Sequence, residues 1–210
     1  MKDQLSHWNN AHAQQWLHKH SLTQTQYAID VEDSLADKSN MLELGCGEGN
    51  DSIFFAEKGH VITSTDFSDV VIEQNKKQLQ HANLRFEVQD TSKKFNYSDG
   101  QFDAIYARLS LHYFPNETTI AIFDEMRRVL KPSGNLYFMC KSVDDLIYGQ
   151  GIELEKDMYE LNGHVRHFFS EDYAKQLLTE ASFDITSIIK GEEKIYDRQS
   201  AYIQVEAKAI

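Results

Sequence analysis

The sequence predicts a doubly wound α/β domain, a mainly parallel sheet with helices on both faces. Three observations predict it. From about residue 41, short apolar runs alternate with segments of helical periodicity. A Gly-rich turn closes the first of those runs. The chain has 210 residues, 41% hydrophobic and 26% charged, which suits one domain with a sizeable core and excludes disorder for most of its length.

The elements follow in order. Met41-Leu42-Glu43-Leu44 is a short strand, and Asp51 to Lys58 a helix closed by Gly59. Val61 to Thr65 is the second strand. Ser68 is an N-cap for a helix with Val71, Leu79 and Ala82 on one face. Leu84, Phe86 and Val88 alternate in a third strand, and Phe102 to Ala107 make a fourth. In residues 117–130, Ile120, Phe123, Met126 and Leu130 recur at helical spacing. Arg127, Arg128 and Lys131 favour that helix's C-terminus and Pro132 stops it. Asn135 to Lys141 is the fifth strand. Ser170 caps a helix that turns Tyr173, Leu177 and Ala181 inward, and Ile185 to Ile189 with Ala201 to Ala207 form a closing pair of strands. Right-handed crossovers make this order doubly wound. Two pieces stand outside the alternation and are expected to cover a site. Residues 1–38 read as helical, with Leu5, Trp8, His12 and Trp16 near one face. Residues 142–169 read as an insertion, and their six acids (Asp144, Asp145, Glu153, Glu155, Asp157, Glu160) suggest a solvated acidic helix. The whole chain, 1–210, is thus expected to be a single domain with two covers.

The net charge is −12, which argues against a polyanion-binding or membrane-docked protein. No stretch approaches 18 apolar residues, and Met1-Lys2-Asp3-Gln4 is followed by no apolar signal core. Cys46 and Cys140 do not make a disulfide framework, which fits a reducing cytoplasm.

Ligands of open α/β sheets sit at the carboxyl ends of the strands, so the turn after the first strand is the expected site. It reads Glu43-Leu44-Gly45-Cys46-Gly47-Glu48-Gly49-Asn50. A dinucleotide fingerprint would be G-x-G-x-x-G; here the run is G-x-G-x-G with Asn at position 50, which disfavours a NAD-dependent oxidoreductase. Glu43 and Glu48 would repel a pyrophosphate but suit a ligand carrying an amine and a sulfonium. Asp66 ends the second strand, where an acid accepts from ribose hydroxyls, and Asp90-Thr91 end the third, where an acid can accept from an adenine amino group.

Residues 41–141 resemble the class I S-adenosylmethionine-dependent methyltransferases. The matching pieces are Leu42-Glu43-Leu44-Gly45-Cys46-Gly47-Glu48-Gly49, Asp66-Phe67-Ser68, Gln89-Asp90, Phe102-Asp103-Ala104-Ile105, Leu111-His112 and Arg128-Val129-Leu130-Lys131-Pro132-Ser133-Gly134. The resemblance implies a Rossmann-like seven-stranded sheet with an antiparallel last strand, and S-adenosyl-L-methionine as cofactor. It implies that Gly45, Gly47, Gly49 and Ala107 to Leu109, Arg108 included, line the methionine part. Asp66 would then hold the ribose, Asp90 and Thr91 the adenine edge, Phe67 the adenine face, and Glu43 the amine through water.

Methyl transfer from a sulfonium needs alignment in a dry pocket above all else. The segment Ala107-Arg108-Leu109-Ser110-Leu111-His112 lacks both the Asn-Pro-Pro-Tyr of amino-methylating enzymes and a Pro-Cys nucleophile, which favours a small-molecule acceptor over nucleic acid or protein. An RNA or protein methyltransferase and a non-catalytic S-adenosylmethionine-binding regulator are the rival readings. No catalytic residue is fixed; His112, His164 and His167 are candidates. No Cys/His cluster supports a metal at His164 and His167. The acids of 142–169 hint at a neutral or cationic acceptor.

Cys46 and Cys140 should end the first and fifth strands, with the fourth between them. Two strand spacings are about 9.6 Å, beyond disulfide reach. Thiol titration under denaturing conditions should therefore return two free thiols per chain, and a value near zero would show them bridged.

Overall fold

A computed structural model describes residues 8–9, 23–195 and 198–210. The chain runs α1 (Gln26–Glu32), β1 (Asn40–Leu44), α2 (Asn50–Glu57), β2 (Val61–Asp66), α3 (Asp69–Gln78), β3 (Leu84–Val88), β4 (Phe102–Arg108), α4 (Asn116–Val129), β5 (Leu130–Lys141), β6 (Ile152–Glu155), β7 (Met158–Leu161), β8 (His164–His167), α5 (Glu171–Glu180), β9 (Phe183–Ile195) and β10 (Arg198–Ala209). Seven strands form one sheet in the order β3-β2-β1-β4-β5-β10-β9. β1 to β5 pair in parallel, and β10 runs antiparallel to β5 on one side and β9 on the other. This is the Rossmann-like architecture expected from the sequence. The order reverses between β1 and β4, so the chain leaves those two neighbours in opposite directions and opens a crevice at their carboxyl ends.

Both faces of the sheet are buried, and the period-two alternation of side chains sorts them. From β1 and β4, Leu42, Leu44, Ile105 and Ala107 join Phe123, Met126 and Leu177 of α4 and α5 in one core. Met41, Ala104 and Tyr106 join Tyr27 and Phe55 of α1 and α2 in the other. Helix starts follow local capping chemistry. Ser68 and Ser170 accept from the backbone amides of Val71 and Tyr173, and Thr25 from that of Ala28. β4 lies between β1 and β5, and Cys46 and Cys140 are both free.

Three local expectations change. α3 stops at Gln78, so Ala82 sits in an exposed turn rather than on the helix face. The closing hairpin is far longer than its apolar core, because the backbone ladder continues through residues 190–195 and 198–200, which are mostly polar. Residues 142–169 contain no acidic helix. They form a three-stranded antiparallel sheet, β6-β7-β8. Its second turn is Asn162-Gly163 with φ 55° and 75°, both central residues left-handed as tight hairpins require. The amide of His167 donates to the carbonyl of His112 at 2.9 Å, fixing this small sheet to the loop after β4. Of the expected face of the N-terminal cover, Leu5, His12 and Trp16 lie outside the described residues; Trp8 is described.

Asp51 attaches α1 to the main sheet. Its carboxylate is buried and accepts from the Thr25 amide (2.7 Å), the Thr25 hydroxyl (2.9 Å) and the Tyr106 hydroxyl (2.8 Å). Asp51→Ala should cost about 2–4 kcal/mol in urea denaturation, since it removes bonds to a charged acceptor and leaves the Tyr106 hydroxyl short of one. Tyr106→Phe should cost about 1 kcal/mol. An Asp51→Ala loss no larger than that of Tyr106→Phe would show that Asp51 does not anchor α1.

Candidate active site

The turn after β1 is built by steric and hydrogen-bond constraints that leave little choice of residue. Gly45, Gly47 and Gly49 have φ of 77°, 52° and 75°, a region costly for any residue with a Cβ. At Gly45 a Cβ would also collide with Ser110, whose hydroxyl donates to the Leu44 carbonyl at 2.6 Å. The loops after β1 and β4 therefore touch at the crevice.

Asp66, at the end of β2, fixes the turn from the other side. Its Oδ2 accepts from the Gly47 amide at 3.1 Å and its Oδ1 from the Ser68 amide at 2.9 Å. Burial raises its carboxyl above the usual range, while those two amides and that of Phe67 pull it back. Asn75 of α3 completes the clamp, donating to the Gly47 carbonyl at 2.7 Å. Neither Asn75 nor Ser110 was expected from the sequence. A signal for Asn75 existed: it is a polar residue on the apolar stripe of Val71 and Ile72, where a buried amide must find a partner.

Glu43 is buried beneath the turn. Its Oε2 accepts from the hydroxyls of Ser52 and of Ser64, the latter at 2.8 Å. Oε1 receives no hydrogen bond among the described residues. Burial pushes its pKa up to about 7, with Asp51 and Asp66 adding repulsion and the two serine hydroxyls opposing. Asp90, after β3, holds its own turn, its Oδ1 accepting from the Ser92 amide (2.9 Å) and hydroxyl (2.6 Å). Phe67 and Thr91 are half-buried at the ends of β2 and β3.

The loop after β4 is more mixed. The Ala107 side chain lies in the core facing α4 and α5, which leaves only its backbone to line a site. Arg108 is spent on an ion pair with Glu193 of β9 at 2.6 Å. Leu109 adopts a left-handed φ of 53° and packs on the α1/α2 side. His112 is 1% exposed, and both its ring nitrogens are buried without a hydrogen-bond partner. Burial holds its pKa well below the usual range, reinforced by Lys141, Arg166, His164 and His167, so the ring is neutral. His167 is occupied differently. Its Nδ1 meets the Phe114 carbonyl at 3.2 Å, and its ring packs on Phe169 and Tyr173. His164 stacks on Tyr113, the planes 4° apart and the centroids 5.4 Å. Trp8 sits edge-on to both Tyr113 and His164, at 5.6 Å. Its neighbour Asn9 accepts from the Ser68 hydroxyl at 2.7 Å, so these two residues reach across the crevice from the β4 loop to α3. No group of three or more potential metal ligands occurs among the described residues.

A family model described as a methyltransferase domain matches residues 41–134, the span from β1 into β5. The Bacillus subtilis protein YqeM is 34% identical over 115 residues, 54% of this chain and 47% of its own length. The demethylmenaquinone methyltransferase of Leptospira interrogans is 27% identical over 138 residues, 63% of this chain and 52% of its own. The chain therefore spans about half the length of these curated relatives. The Burkholderia thailandensis 1,6-didemethyltoxoflavin-N1-methyltransferase, solved with 1,6-didemethyltoxoflavin and S-adenosylhomocysteine, superposes with a TM-score of 0.75 at 17% identity, covering 99% of this chain and 88% of that one. Residues 41–134 thus carry the match to a methyltransferase domain, on a sheet with the strand order of the class I S-adenosylmethionine-dependent methyltransferase fold.

Proposed function

We propose that the chain transfers a methyl group from S-adenosylmethionine to a small-molecule acceptor, with the residues at the carboxyl ends of β1, β2 and β4 as its site. The observation that carries this reading is the clamp between Gly47 and Asp66. It joins a glycine turn to an acid at the strand-order reversal, where open α/β sheets bind ligands. Relatives named for demethylmenaquinone and for 1,6-didemethyltoxoflavin favour a small acceptor. The free thiols support a cytoplasmic setting.

The donor set fits such a cofactor. Asp66 keeps lone pairs beyond those given to the two amides and can accept from ribose hydroxyls. Asp90 and Thr91 stand at the next strand end for the adenine edge, and Phe67 beside them for its face. The Glu43 Oε1, which no protein donor satisfies among the described residues, suits an amine or a water bound to it. The left-handed glycines bring backbone close to the methionine part, together with the backbone of Ala107 to Leu109. When bound, the sulfonium supplies a methyl carbon activated for in-line displacement. The protein's task is then to align the acceptor and exclude water, which can contribute roughly 7–11 kcal/mol.

Calorimetry should show binding of S-adenosylmethionine or S-adenosylhomocysteine, and Asp66→Ala should weaken it about ten- to hundredfold. Binding of NADH in place of both would overturn the reading. Binding without methyl transfer to any acceptor in a broad screen would make the protein a regulator instead.

Glu43 gives a pH dependence. Its folded pKa of about 7 lies above its unfolded value near 4.5, so the folded state holds a proton that the unfolded state releases between those limits. Stability should fall as pH rises from about 4.5 to about 7 and then level, and Glu43→Gln should remove that slope. Affinity for S-adenosylmethionine should rise through about pH 7 in the native protein, as the carboxylate ionises, and stay flat in Glu43→Gln. Equal slopes for the two proteins in urea titrations would show that Glu43 is ionised throughout.

A further inference from the structure

The protein carries an excess of twelve negative charges, yet the groups that meet between β8 and the loop after β4 are a cation and neutral rings. Arg166, on β8, is half-buried. Its Nη2 lies 2.5 Å from His164 Nδ1, its Nε is buried without a partner, and no carboxylate pairs with it among the described residues. Asp145 is the acid whose field reaches it, but that carboxylate is spent on Lys141 (2.9 Å), the Ser200 hydroxyl (2.7 Å) and the Ala201 amide (3.1 Å). A guanidinium partly withdrawn from water without a counterion is penalised, and an arriving anion would relieve that penalty.

The surroundings of Arg166 form a continuous chain of rings. His164 stacks on Tyr113, Tyr113 lies 4.4 Å from the ring of His112, and Trp8 stands edge-on to Tyr113 and His164. His112 adds two buried, unpartnered ring nitrogens, one a donor in the neutral ring. The loop that carries His112 and Tyr113 touches the turn after β1 through Ser110. Four of the six acids of residues 142–169, Asp145 among them, are engaged by other partners. Asp144 pairs with Lys190, Glu155 accepts from the Asn116 amide, and Asp157 accepts from the Tyr148 hydroxyl.

We propose that this cluster is the acceptor subsite, and that the acceptor is a planar aromatic molecule bearing a carboxylate. Arg166 binds that carboxylate through its planar fork, His112 donates to the acceptor, and Tyr113, His164 and Trp8 flank its ring. The inference rests on the methyltransferase reading and reverses the preference that the acidic insertion suggests from sequence. It gives the small β6-β7-β8 sheet a role, since β8 supplies both Arg166 and His164.

The test is calorimetric, on the full chain with and without S-adenosylhomocysteine. Three matched probes are titrated: quinoline-2-carboxylate, quinoline-2-carboxamide and quinolin-2-ylmethylammonium. The carboxylate should bind at least tenfold tighter than either of the others. Arg166→Met should erase most of that preference, about ten- to hundredfold, and Arg166→Lys should keep part of it. S-adenosylhomocysteine affinity should stay within about twofold in both variants, which reports that they are folded. No preference for the acid, or a preference untouched by Arg166→Met, overturns the proposal. Failure of S-adenosylhomocysteine to bind overturns the methyltransferase reading instead, and the acid preference is then still read from the unloaded chain.

Discussion

The carboxylate of Asp66 is the constraint on which the site depends. One oxygen holds the Gly47 amide and the other the Ser68 amide. With a single side chain, the turn after β1 is tied to the start of α3, and the ends of two neighbouring strands are locked in register. The same tie explains the run of left-handed glycines. The turn must present amides to a carboxylate on one side and leave room for Ser110 on the other, and a Cβ at Gly45 would fill that room. Asn75 reinforces the arrangement from α3.

The buried acids divide the work between folding and binding. Asp51 is fully committed to protein donors, so its charge holds α1 against the sheet. Glu43, on β1, gives only one oxygen to protein hydroxyls. Burial penalises the charge of Glu43, and the fields of Asp51 and Asp66 add to that penalty. A cation arriving at the turn relieves that penalty, which is a physical reason for a sulfonium- and amine-bearing ligand to prefer this place over a phosphate.

Much of this was legible in the sequence. Alternation of strands and helices, N-caps at Ser68 and Ser170 and the Gly45-x-Gly47-x-Gly49 run all signal local structure, and each matches what the fold contains. What escaped was of three kinds. The ladder of β9 and β10 runs through polar residues, because backbone pairing has no hydropathy signature. The β6-β7-β8 sheet was hidden by its acids, although Asn162-Gly163 is a hairpin signal in its own right. Tertiary partners such as Ser52 and Ser64 on Glu43, or Glu193 on Arg108, come from distant segments, and their roles depend on strand register.

The two segments outside the alternation then take on different meanings. From the N-terminal side, Trp8 reaches the rings after β4 while Asn9 holds Ser68, the N-cap of α3 and a neighbour of Asp66. From the other side, β8 brings Arg166 and His164 to the same rings, and its His167 amide is bonded to the His112 carbonyl. The loop after β4 is therefore shared. Ser110 faces the glycine turn, and Tyr113 faces both covers. A ligand that settles the turn also settles Ser110, and through two residues of backbone it positions His112 and Tyr113. The four residues Ser110 to Tyr113 thus join the proposed cofactor site to the proposed acceptor cluster. Net charge has little bearing on either place, because the deciding groups are buried or half-buried: Glu43 and Asp66 at the turn, Arg166 and His112 at the ring cluster.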